Sequence, residues 1–234
     1  MRSTPPWPVR PSAPPEADIR AMFDSVARRY DVVNVLLSFG LDRRWRRAVA
    51  RSLAVRPGDI VLDLGCGTGG LGRLLAGRCE VVALDLSVEM LKVARRRGSA
   101  GAFVQASAFR LPLRAGALSA AVSAFLLRNL NDLPAAFEEL ARVLSPGGRV
   151  ALLDITEPAS PPIRRMFDAY FSRAARTLGA LAGNAGAYRY LVGSLEQLPP
   201  AEEVLGLLGD AGFERASARP MTGGVVTLFT AVRR

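Results

Sequence analysis

The residues best able to do chemistry form the run Asp63-Leu-Gly65-Cys-Gly67-Thr-Gly69-Gly70, followed by Asp85 twenty residues after Gly65. Glycines at these positions let a strand turn sharply into a helix and let the backbone approach a bound ligand closely. A carboxylate at the end of the next strand can accept from both hydroxyls of a ribose. Gly65, Gly67 and Gly70 satisfy the dinucleotide pattern, so a nicotinamide cofactor fits the glycines. Three further features favour S-adenosylmethionine. Asp63 stands where such enzymes place an acid near the amino-acid end of the cofactor, Gly69 gives the tighter Gly-x-Gly-x-Gly spacing, and a helical segment precedes the loop.

The 234 residues include no histidine, which removes the commonest general base and the commonest metal ligand. The two cysteines, Cys66 and Cys79, have no metal-ligand spacing and imply no disulfide framework. The sequence therefore gives no metal site, and chemistry must run on Asp, Glu, Arg, Tyr, Asn or the cofactor.

The elements that position these residues read as follows. Residues 1–15, with six prolines, form a disordered arm. Residues 16–58 form a helical cap: helical spacing begins at Ile19 and continues through Met22, Phe23, Val26, Ala27 and Tyr30, a second apolar stretch runs from Val32 to Phe39, and a basic helix spans Arg43–Leu53. Residues 59–234 form the cofactor-binding domain. Its predicted strands are Ile60–Leu64, Glu80–Leu84, Ala102–Val104, Leu118–Phe125 and Arg149–Asp154, with helices between them capped by Ser87 and Asp132. Alternation of this kind specifies an α/β, Rossmann-like parallel sheet. Phe213–Ala218 and Val225–Val232 then close it as an antiparallel pair, around a helix near 201–211. The stripe Ile163, Met166, Phe167, Tyr170, Phe171, Ala174 and Leu178 either packs on the core or covers the active site; residues 160–198 are read as lid helices.

The formal charge is +10, and every basic residue except Lys92 is arginine. Residues 1–58 hold eleven arginines against five acids, densest in Arg43-Arg-Trp-Arg-Arg47. No nucleic-acid-binding signature is present. Interleaved basic and apolar residues suit an anionic membrane surface instead. No apolar run is long enough to span a bilayer, and no signal peptide opens the chain, so the expected location is cytoplasmic, peripheral at the inner face of the membrane. A homodimer is left open.

Beyond the loop, the segments Met22-Phe-Asp, Val26-Ala-Arg-Arg-Tyr-Asp31, Leu37-Ser-Phe-Gly40, Phe125-Leu-Leu-Arg-Asn129, Tyr188-Arg-Tyr-Leu191 with Ser194, and Thr222-Gly-Gly224 resemble the ubiquinone/menaquinone biosynthesis C-methyltransferase family. The resemblance runs from about Met22 to about Leu228. It implies a seven-stranded class I methyltransferase fold and S-adenosylmethionine-dependent methylation of a ring carbon on a lipid-soluble, prenylated quinol. It implies cofactor contacts from Thr68, Asp85, Ser107 and Ala108, added to Asp63, Gly65 and Gly67 of the loop, and a substrate pocket lined by Arg128, Asn129 and Tyr30. Arg128 stays protonated, so it is expected to stabilise a quinolate oxygen or orient a water; Asn129 orients the ring and Tyr30 relays a proton. Ser107, Ala124, Leu126 and Phe229 depart from the family's pattern, and Leu126 and Phe229 are expected to reshape the substrate pocket. Another small apolar acceptor, or a non-catalytic cofactor-binding subunit, are the alternatives.

Overall fold

The computed structural model describes residues 14–27, 29–158, 160–167, 169–170 and 198–234. Most of the proline-rich arm, most of the 160–198 lid and the segment Tyr188–Leu191 with Ser194 lie outside the described residues.

Three helices come first: α1 (Glu16–Val26), α2 (Tyr30–Ser38) and α3 (Asp42–Ser52). The stripe that reads as one helix through Tyr30 is therefore split between two, yet its residues still share a cluster. Val26, Ala27 and Tyr30, with Met22 and Phe23 beside them, pack on Met90 and Val93. The sheet follows: β1 (Ile60–Leu64), β2 (Glu80–Asp85), β3 (Ala102–Gln105), β4 (Leu118–Ala124), β5 (Leu144–Ile155), β6 (Phe213–Met221) and β7 (Val226–Arg233). Between them run α4 (Gly72–Leu75), α5 (Val88–Arg96), a 3₁₀ turn at Leu127–Asn129, α6 (Leu133–Val143) and α7 (Ala201–Asp210). A helical stretch also covers 161–167 and 169–170.

The strand order is β3-β2-β1-β4-β5-β7-β6. The first five strands are parallel and β7 is antiparallel to both β5 and β6, as the closing pair requires. Strand alternation sorts the side chains to two faces. Leu62, Leu64, Leu152 and Phe229 face α6 and α7, while Val61, Val122, Ala151 and Leu153 face α3 and α4. The chain leaves β1 toward β2 and β3, then crosses back to β4. That reversal opens a crevice at the carboxyl ends of β1 and β4, the usual ligand position in such sheets.

Both expected caps form. The Ser87 hydroxyl accepts from the Met90 N–H and the Asp132 carboxylate from the Ala135 N–H. Strand β5 starts at Leu144 rather than Arg149, because Leu144 already pairs with Leu118 before a register shift that precedes Ala120. Glycines in Ser145–Gly148 read as a stop, but backbone pairing carries the strand across them.

Phe229 is a correction. It is fully buried, faces Leu152 and Ala218 across the sheet, and belongs to the core beneath α6 and α7 rather than to a substrate pocket. Phe229→Ala should lower the unfolding free energy by about 3–5 kcal/mol, the usual cost of emptying a buried phenyl site. Chemical denaturation followed by circular dichroism measures it, and a loss under about 1 kcal/mol would contradict this placement.

Candidate functional site

The loop after β1 is held by two carboxylates. Asp63, at the end of β1 and 1% exposed, accepts from the Gly72 N–H at 2.9 Å. Asp85, the last residue of β2, accepts from the Gly67 N–H at 2.7 Å and the Ser87 N–H at 2.9 Å. Backbone bonds from Cys66 N–H to the Leu84 carbonyl and from Gly69 N–H to the Cys66 carbonyl complete the turn. Glycine is needed at two points for different reasons. At Gly69 a Cβ would sit 2.4 Å from the Ser99 side chain, whereas at Gly67, with φ +53°, nothing stands within 4 Å. The loop is therefore packed tightly behind Gly69 and open in front of Gly67, where a ligand can approach the backbone.

That open side is a narrow cleft of about 80 Å³. Its walls include Gly65, Gly67 and Asp85 from the loops, Ala108 after β3, Ala124, Phe125, Leu126 and Asn129 after β4, and Glu16, Ile19, Phe23 and Tyr30 from the cap. The sequence-predicted residues Gly65, Gly67, Asp85, Ala108, Asn129 and Tyr30 thus converge. Asp63, Thr68 and Ser107 do not line the cleft. Asp63 supports the loop from behind, Thr68 donates to Asp31 at 2.5 Å, and Ser107 donates to Glu16 at 2.7 Å.

Those last two bonds belong to a set that sequence reading missed. Glu16, Asp24 and Asp31 of the cap each accept a hydroxyl from a loop at the carboxyl end of a strand: Ser107 after β3, Ser87 after β2, Thr68 after β1. Asp31 also binds the Arg97 guanidinium. The available signal was sparse: three of the five acids in a strongly basic segment make these ties.

Arg128 points to the other side of Phe125. It is 4% exposed and its guanidinium meets the fully buried Asp154, whose second oxygen accepts the Arg128 backbone N–H at 3.1 Å. The Arg128 Nε has no hydrogen-bond partner among the described residues. Arg128 lies on the wall of a second cavity of about 380 Å³, with Asn34, Leu37, Phe39, Trp45, Phe125, Ile155, Ile163, Met166 and Tyr170 around it. Phe125 borders both cavities. It holds a left-handed backbone, φ +67°, at the end of β4, with its N–H bonded to the Leu153 carbonyl at 2.8 Å. Leu126 reaches Gly65 and borders the cleft, so of the departing residues Ala124 and Leu126 stand at the site and Phe229 does not.

Burial dominates the electrostatics. It lifts the Asp63 carboxyl to about 7 against the opposing pull of Arg46 and the Gly72 N–H. It lifts Asp85 to about 6 against the N–H groups of Ser87 and Gly67. Burial also drives the Cys66 thiol upward, so it is no nucleophile.

Comparison with known proteins identifies the family. The model of the ubiE/COQ5 methyltransferase family matches residues 13–233. The ubiquinone/menaquinone biosynthesis C-methyltransferase UbiE of Syntrophotalea carbinolica is 40% identical over 226 residues, covering 94% of this chain and 95% of its own length. The demethylmenaquinone methyltransferase of Beutenbergia cavernae is 39% identical over 216 residues, covering 92% and 90%. Among solved structures, a SAM-dependent methyltransferase from Thermotoga maritima, described as a possible histamine N-methyltransferase, superposes with a TM-score of 0.66 at 16% identity, covering 91% of this chain and all of that one. At that identity it shows the fold alone.

The raised Asp63 carboxyl links stability to pH. The folded protein holds this proton up to about pH 7, while the unfolded chain releases it near the ordinary aspartate value of 3.8. Between those values the folded state binds more protons, so this contribution to stability is lost as pH rises from 4 to 7. Asp63→Asn keeps an oxygen for the Gly72 N–H and cannot ionise. Its urea midpoint should fall less between pH 5 and pH 8 than the wild-type midpoint, and equal falls would rule out a buried titrating Asp63.

Proposed function

The chain belongs to the ubiE/COQ5 methyltransferase family, and on that premise we propose that it moves a methyl group from S-adenosylmethionine to a ring carbon of a prenylated quinol, as in conversion of demethylmenaquinol to menaquinol or its ubiquinone-pathway equivalent. One observation carries the substrate side. A large apolar cavity with a buried arginine on its wall adjoins the glycine-loop cleft, and Phe125 is common to both. The cleft suits a nucleoside cofactor and the cavity suits a ring bearing a hydrocarbon tail.

The residues fit the cofactor chemically. The backbone at Gly67 is open to a ligand, and Asp85 ends β2 where it can accept ribose hydroxyls. Ala108 offers an apolar wall near Leu86 and Phe109 for the adenine. The cap stands over this cleft, with Glu16, Ile19, Phe23 and Tyr30 on its wall and Glu16, Asp24 and Asp31 bonded to the loops. Once bound, S-adenosylmethionine supplies an electrophilic methyl group whose transfer leaves a neutral thioether.

The protein must then hold the acceptor carbon in line and make it nucleophilic. Positioning of this kind is worth up to about 7–11 kcal/mol in favourable cases. Loss of a proton from the neighbouring quinol hydroxyl pushes electron density onto that carbon. After the new carbon–carbon bond forms, the ring proton leaves and aromaticity returns. Arg128 cannot serve as the base. Asp154 neutralises one side of its guanidinium, and the unpartnered Nε is a buried donor available to a developing quinolate oxygen. Asn129, whose amide donates to the Phe125 carbonyl at 3.1 Å, fixes the turn that carries Arg128 and borders the cleft. Tyr30 stands on the cap side and can relay a proton to water.

A tail in the cavity leads toward α2, where Val32, Leu36 and Phe39 are exposed; Met166, which shares the cavity wall with Phe39, is exposed as well. On α3, Trp45, Val49 and Ala50 are buried against the sheet, so the apolar residues interleaved with its arginines face inward and cannot enter a bilayer. The membrane-facing reading therefore shifts: α2 supplies the apolar contact, and the exposed Arg43, Arg44 and Arg47 supply attraction to anionic lipid. Arg43→Glu, Arg44→Glu and Arg47→Glu together should weaken sedimentation with phosphatidylglycerol vesicles at least tenfold. Unchanged binding would overturn this docking.

The decisive assay is the purified protein with S-adenosylmethionine and a short-chain demethylmenaquinol, with the product followed by mass. Cofactor binding without turnover on quinols would sink the proposed substrate. In the same assay Arg128→Lys, which keeps the charge beside Asp154 but loses the planar fork, should lower kcat by about 10²–10³ with cofactor affinity unchanged.

A further inference from the structure

Four arginines crowd the start of α3, and three of them face solvent; Arg46 does not. The reason lies next to it. The indole of Trp45 is buried, donates to the Thr222 hydroxyl at 2.8 Å and meets the Phe125 ring edge-on, with centroids 6.2 Å apart. That anchor sets the rotation of the helix and turns Arg46 onto the glycine loop. Its side chain is 14% exposed and its Cζ lies 5.1 Å from the Phe125 ring centroid. A Cβ on Gly70 would come within 3.2 Å of its Cδ, Nε and Cζ, so the guanidinium rests directly on the loop backbone.

Its charge is poorly matched there. Among the described residues, the guanidiniums of Arg46, Arg97 and Arg128 stand against the loop or the end of β4. Arg97 is engaged by Asp31 and the Thr68 carbonyl, and Arg128 by Asp154. Among the described residues Arg46 reaches only one carboxylate, Asp42, at 3.8 Å, beyond hydrogen-bond distance. Asp63 feels its charge through the loop, but the Asp63 oxygen is bonded to the Gly72 N–H.

The ligand side has the complementary need. An amino-acid cofactor end carries an ammonium and a carboxylate. Asp63 and Asp85 are turned onto the N–H groups of Gly72, Gly67 and Ser87 and offer the carboxylate no cation. The loop's N–H groups at Cys66, Gly67, Gly69 and Gly72 are already spent on the Leu84 carbonyl, Asp85, the Cys66 carbonyl and Asp63. We infer that Arg46 binds the α-carboxylate at the amino-acid end of the cofactor, across the Phe125 and Gly70 wall; this rests on the proposed use of S-adenosylmethionine. Arg46 thereby sets the depth at which the adjoining sulfonium lies. The absence of a side chain at position 70 gives the guanidinium its seat.

Titration calorimetry with two product-like ligands tests this. S-Adenosylhomocysteine has the amino-acid end, and 5′-methylthioadenosine has the same nucleoside thioether without it. Wild-type protein should bind the first more tightly. Arg46→Gln should weaken S-adenosylhomocysteine roughly ten- to a hundredfold and leave 5′-methylthioadenosine unchanged, which also reports an intact fold, with Arg46→Lys recovering part of the loss. Equal weakening of both ligands would make Arg46 a structural residue, and unchanged binding of both would remove it from the site. If wild-type protein binds neither ligand, the proposed cofactor fails as well.

Discussion

The site depends on two strand-end carboxylates that hold a glycine loop from below. A backbone that turns as sharply as residues 65–72 leaves N–H groups facing inward, and buried N–H groups must be satisfied. Asp63 takes one from Gly72 and Asp85 takes one from Gly67. Burial penalises both charges, and both carboxyls rise well above the ordinary range. The protein tolerates that cost where the sheet reverses direction, the place where a ligand must meet the backbone.

The cap uses the same chemistry in reverse. Three of its acids reach out to hydroxyls on the loops after β1, β2 and β3, so one helical segment reads the positions of three strand ends at once. Short carboxylate–hydroxyl bonds of this kind are stronger than neutral ones. The apolar contact beneath, from Val26, Ala27 and Tyr30 to Met90 and Val93, gives the closed arrangement its register.

Phe125 divides the polar half of the site from the apolar half. Its left-handed backbone turns the chain at the end of β4, and that turn delivers Arg128 to one side and Asn129 to the other. Guanidiniums approach its ring from Arg46 and Arg128, at 5.1 and 5.7 Å from the centroid. Removing Asp154 would leave the Arg128 charge buried and uncompensated, which is why the pair stands or falls together.

Periodicity and turn residues in the sequence determined the alternating strands and helices, the caps at Ser87 and Asp132, the closing antiparallel pair and the glycine loop with Asp85 behind it, because each is specified within a few consecutive residues. The resemblance of Phe125–Asn129 to a known family pointed to Arg128 and Asn129 as pocket residues. Only the tertiary structure decided how they are used. Local sequence does not say which way a side chain turns when its neighbours come from elsewhere in the chain. Thus Phe229 belongs to the core because β7 inserts between β5 and β6, and Asp63 supports the loop because Gly72 folds back over it. Thr68 and Ser107 meet acids on a cap many residues earlier. Arg46, one of four arginines among residues 43–47, faces inward because Trp45 is pinned to Thr222, 177 positions away.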